Sequence, residues 1–133
     1  MACFVSSELP RSIESLQKLH EGLHVKSSLF NEPGLPRLHV PWLRMQAKHW
    51  CVFKRILWLL GCSKECESYR QACTRAQEAS NLLIKQARQN GMVLLMGHGT
   101  MNRLISRCLR KSGWGRVSHG GDRYWGFGVH FFE

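Results

Sequence analysis

The stretch Met92-Val-Leu-Leu-Met96, followed by Gly97-His98-Gly99 and Thr100-Met-Asn-Arg-Leu-Ile105, constrains this chain more than any other. Five consecutive apolar residues show no polar alternation, so the segment is predicted to be a strand covered on both faces, as in a parallel sheet. A histidine between two glycines marks an abrupt turn, and helical spacing resumes directly after it. In open α/β sheets ligands bind beyond the carboxyl ends of the strands, which makes His98 a candidate functional residue.

The remaining chain repeats the strand-helix theme. Residues 3–7 read as a short buried strand, and 8–22 as a helix with Pro10 in its first turn, Ile13, Leu16 and Leu19 on one face, and Gly22 as its stop. Residues 23–30 alternate enough to predict a second strand, which ends in a segment rich in Pro and Gly up to Pro41. From 42 to 60, Trp42, Met45, His49 or Trp50, Phe53, Ile56 or Leu57, and Leu60 fall on one helical face, closed by Gly61. That face is expected to pack on the core; an interfacial membrane helix is the alternative, because Lys54 and Arg55 lie beside Trp and Leu.

Residues 63–91 give the clearest helix, with Tyr69, Ala72, Cys73, Ala76, Ala79, Leu83 and Ala87 on one side and Asn90-Gly91 as the cap. A further helix over 101–113 and a final strand over 123–132 complete the pattern. The expected fold is therefore α/β, a mostly parallel sheet with helices on both faces. With 133 residues, a single domain over 1–133 is expected.

Charge narrows the partners. Nineteen Lys and Arg against nine Asp and Glu give a formal charge of +10, which favours phosphate esters, nucleic acid or acidic lipid headgroups. The basic residues are spread over several helices, so a nucleic-acid stripe is not expected. The first residues lack a secretory signal, which points to a cytoplasmic, reducing setting and free thiols for the six cysteines. Cys62 and Cys66 lack a second closely spaced ligand pair, so neither a metal nor any other cofactor is expected. No apolar run approaches the roughly 20 residues that span a bilayer.

Three residues fall at three predicted strand ends: Arg11, Glu32 and His98. Together they suit a phosphate monoester. Arginine grips phosphoryl oxygens with two parallel hydrogen bonds, and a helix N-terminus after His98 supplies backbone N–H donors. A carboxylic acid can protonate the leaving oxygen, and the bare backbone of Gly99 lets an oxyanion approach.

These residues resemble the histidine phosphatase, or phosphoglycerate mutase-like, superfamily. The segment FVSSELPRSIES (4–15) is similar to that family's strand followed by Ser-x-Leu-x-Arg and a helix, which implies that Arg11 binds phosphate. MVLLMGHGTMNRLI (92–105) resembles its late strand ending in His-Gly, which implies that His98 is the second active-site histidine. ESYRQACTRA (67–76) resembles the preceding helix, and FNEPGLP (30–36) lies where the family carries its proton-donating acid, implying that role for Glu32. The resemblance implies a metal-independent phosphomonoester hydrolase acting on a phosphate-containing small molecule.

The chain departs from the family in one respect. It contains no Arg-His-Gly, the motif that carries the nucleophilic histidine. The expectation is an N-terminally incomplete domain, lacking its first strand-helix unit, that binds a phosphoryl group but is catalytically impaired. A non-catalytic basic module for phosphate-containing partners or nucleic acid is the alternative. His119, in Val-Ser-His-Gly-Gly, is the other His-Gly in the chain and a weaker candidate nucleophile. A missing strand is further expected to expose a sheet edge and favour self-association.

Overall fold

The computed structural model describes residues 2–38, 41–119 and 126–132. Its elements in order are β1 (Ala2–Ser6), α1 (Pro10–Leu19), β2 (Val25–Lys26), a 3₁₀ turn (Ser28–Phe30), α2 (Ala47–Leu59), α3 (Tyr69–Asn90), β3 (Met92–Met96), α4 (Gly99–Lys111), β4 (Gly115–His119) and β5 (Gly128–Phe131). The chain divides into two compact units, Met1–Glu32 with Arg75–Glu133, and Pro33–Thr74.

In the first unit, β1, β2 and β3 form a parallel sheet in the order β2-β1-β3. All five residues of β1 pair with β3, from Ala2 opposite Met92 to Ser6 opposite Met96. Strand β2 pairs with β1 at Val5↔Val25 and Ser6↔Lys26. Successive strands thus lie on opposite sides of β1, which puts the topological switch point at the carboxyl ends of β1 and β3. Helix α1 packs against these same two strands.

Apolar spacing explains the helices. In α4, Met101, Leu104, Ile105 and Leu109 are buried at steps of three and four, the stripe that faces a core. In α3, Ala76, Ala79 and Leu83 are buried in the same way, and Gly91 follows with φ +80°, the left-handed cap the sequence announced. The N-terminus of α3 is a reciprocal box: Gln71 N–H donates to Ser68 Oγ, and Ser68 N–H to Gln71 Oε1. That box starts the helix at Tyr69, six residues later than expected.

Several expectations need correction. The predicted strand 23–30 shrinks to Val25–Lys26, because Ser27 Oγ accepts from Leu29 N–H and turns the backbone into a 3₁₀ helix. Strand β3 is half-buried from Val93 to Met96 on both faces; among the described residues it pairs only with β1 and is therefore an edge. The C-terminal segment does not extend the parallel sheet. Residues 115–119, to which no strand was assigned from sequence, form β4, which pairs antiparallel with β5 in a separate two-stranded sheet with an irregularity between Arg116 and Ser118. His130 Nε2 and Ser106 Oγ, 2.8 Å apart, tie this sheet to α4. Of the expected strand 123–132, residues 123–125 lie outside the described residues.

In the unit 33–74, helix α2 begins at Ala47, five residues later than predicted. Trp58 is fully buried; its indole N–H donates to the Glu67 carbonyl, and its ring meets Tyr69 edge to face. The Arg55 guanidinium lies over the Trp58 ring and donates to the Pro33 carbonyl. Most of the face expected to be core is not: Trp42, His49, Ile56 and Leu60 are exposed.

Candidate functional site

The site is built where β1 and β3 end side by side, each feeding a helix. Strand β3 runs through Gly97 into His98, the N-cap of α4. A Cβ at Gly97 would meet the end of the exposed Asn102 side chain, which would have to turn aside. A Cβ at Gly99 would meet nothing within 4 Å, so the space before this helix N-terminus is open.

Strand β1 ends at Ser6, Ser7 follows it, and both residues are buried. Ser7 Oγ accepts from Leu9 N–H at 3.3 Å and lies 2.8 Å from His98 Nε2. The Ser7 hydroxyl, which has one proton and two acceptor lone pairs, thus binds Leu9 N–H and His98 Nε2 together and fixes the plane of the imidazole. Burial of the imidazole holds its pKa below the ordinary 6.5; Glu32 opposes this and Arg11 adds to it. His98 is thus a neutral imidazole at pH 7 that feels both other candidate residues.

Arg11 sits in the first turn of α1, where Pro10 occupies the start and no side chain caps the helix. It is exposed. Ser12, one residue on, is buried and donates its hydroxyl proton to the Met96 carbonyl, which joins α1 to the end of β3. Ser7 N–H reaches the same carbonyl at 3.3 Å.

Glu32 is delivered by a pinned loop. Arg75 Nη1 donates to the carbonyls of Ser28, Leu29 and Asn31 at 2.7–3.1 Å, Phe30 is fully buried, and Asn31 Oδ1 accepts from Glu8 N–H at 2.9 Å. The Glu32 carboxylate then caps α4, accepting from Met101 N–H at 3.0 Å and Thr100 N–H at 3.4 Å. A carboxylate at a helix N-terminus is favoured both by the unpaired N–H groups and by the helix dipole. Both oxygens are thereby engaged as acceptors, one backbone N–H on each.

Arg11, Glu32 and His98, far apart in sequence, therefore act on one locus. Ser7 and Ser12 were missed, because they read as the tail of a strand and the start of a helix; the Ser-Ser pair just before a helix was the available signal. Ser7 is fully buried beside His98, which excludes it as a nucleophile for a substrate arriving from solvent. His119 is the last residue of β4, and its side chain lies outside the described residues. No group of three or more His, Cys, Asp or Glu capable of holding a metal occurs among the described residues. Burial raises the Cys66 thiol pKa, with Cys62 pushing the same way, and this keeps the thiol protonated. No family model matches the sequence, and no curated protein or solved structure matches it.

Proposed function

We propose that the first unit is a phosphoryl-binding domain of the histidine phosphatase, phosphoglycerate mutase-like, type, and that it holds its ligand without efficient hydrolysis. The supporting observation is the pair of adjacent parallel strands whose helices start at one edge, with His98 on one and Arg11 on the other, both acting on the same locus.

In this reading the phosphoryl group of a small phosphomonoester lies over Gly99, where the surface is open. Arg11 supplies a permanent positive charge, Gly99 N–H an uncapped donor, and His98, in its Nδ1-protonated tautomer, a ring N–H. Thr100 and Met101 N–H stay with Glu32. Hydrolysis through a phosphohistidine needs a nucleophilic imidazole in line with the phosphorus, and the sequence has no Arg-His-Gly to provide it. The side of β3 that has no strand partner among the described residues supports self-association as part of the same reading.

The test is hydrolysis of a chromogenic phosphomonoester by the purified chain with chelator present, beside His98→Ala and Arg11→Ala. The expected result is turnover no higher than in the two variants. Turnover that both substitutions abolish would overturn the impaired reading and direct attention to His119.

A further inference from the structure

Helix α2 carries two apolar surfaces, of which Trp58 belongs to the buried one. The other comprises Val52, Ile56 and Leu59, which are 58%, 50% and 51% exposed. Spacings of four and three place them on a single stripe. Trp42, which precedes the helix, is 81% exposed. The net charge of this helix and its unit has one sign. Helix α2 contains Lys48, Lys54 and Arg55 and no acidic residue, and the whole unit 33–74 holds seven Lys or Arg against two Glu. Lys48 is exposed one turn before Val52, and Lys54 Nζ lies 5.9 Å from the centre of the Trp50 ring.

An aliphatic stripe with Lys48 one turn before it and an exposed tryptophan nearby, in a unit of net positive charge, suits a helix that lies in the plane of a bilayer, apolar side in the acyl boundary and Lys48 among anionic headgroups. With 13 residues α2 is too short to span, and no helix among the described residues is long and apolar enough to cross a membrane. We propose that the 33–74 unit docks on an anionic membrane surface through Val52, Ile56 and Leu59, with Lys48 among the headgroups and Trp42 at the interface. A second copy of the chain is the poorer occupant, because it would bring the same excess of positive charge to the contact, whereas an anionic bilayer supplies the opposite sign.

The full chain is sedimented with vesicles of phosphatidylcholine alone and of phosphatidylcholine with phosphatidylserine, at low and high salt. Binding is expected to the serine-containing vesicles and to weaken as salt rises. The double substitution Val52→Asp, Ile56→Asp should lower the partition coefficient about tenfold or more. Lys48→Glu should lower it about fivefold or more, the contribution of one basic residue near such a surface. Circular dichroism checks folding, and Lys48→Glu keeps the test decisive if the double variant unfolds. Absence of binding by the wild type, undiminished binding by the variants, or a dimer that Val52→Asp disperses without any vesicle binding would each overturn the proposal.

Discussion

Replacing Glu32 with alanine removes the cap of α4 and tests the site's construction. Two backbone donors lose their partner: Met101 N–H, bonded at a good 3.0 Å, and Thr100 N–H, at a longer 3.4 Å. Loss of a capping side chain costs about 0.5–2 kcal/mol, and loss of a negative charge at a helix N-terminus adds about 0.3–1 kcal/mol. One of the two bonds is weak and the space in front of Gly99 admits water, so the middle of that range applies, about 1–2 kcal/mol. For a chain of this size that is a fall in Tm of about 3–8 °C. Urea denaturation followed by circular dichroism measures it, with Glu32→Gln as the companion, since the amide oxygen retains one acceptor without the charge and should lose less. Binding of inorganic phosphate should move the other way and tighten about threefold or more, because two helix donors are released and a negative charge leaves the site. A Glu32→Ala protein as stable as the wild type, with unchanged phosphate affinity, would refute the reasoning.

Other consequences follow from single groups. Gly91 sits at φ +80° with nothing near its missing Cβ, so Gly91→Ala should cost about 1 kcal/mol through backbone strain alone, and Gly91→Asn less; thermal unfolding checks both. His98 has a folded pKa below its ordinary 6.5, so the unfolded chain takes up the proton first as pH falls. Its contribution to stability is complete above about pH 6.5 and is lost as pH drops through the folded midpoint, and a His98→Gln protein should lack that component of the pH dependence in urea titrations.

Legibility from sequence followed local signals. The Met92–Met96 run, the glycine after Asn90 and the three-and-four spacing of α4 specify one backbone path each, and the structure follows them. The carboxyl-edge placement of Arg11 and His98 was equally readable, because strand-then-helix order alone puts them there. Tertiary partners were not readable. Gly115-Arg-Val-Ser-His119 has neither apolar alternation nor a turn signature of its own, and becomes a strand only by pairing with Gly128–Phe131. Helix α2 misled for a related reason. Its apolar residues surround the helix, and periodicity does not say which of two apolar sides meets the core; the buried side holds Trp58, while Ile56 and Leu60 face outward. Glu32 was expected directly after a strand over 23–30; it stands instead beyond the Ser28–Phe30 turn, and its engagement as a cap depends on Arg75 gathering three carbonyls from a loop more than forty residues away, which no local pattern encodes.

The most direct test of phosphoryl binding by His98 and Arg11 is an NMR titration of the His98 imidazole against pH, with and without inorganic phosphate, in the wild type and in Arg11→Ala. The expected result is a midpoint below 6.5 without phosphate, raised when phosphate binds beside the ring, and raised less in Arg11→Ala. A His98 midpoint and resonance indifferent to phosphate in the folded protein would contradict the account.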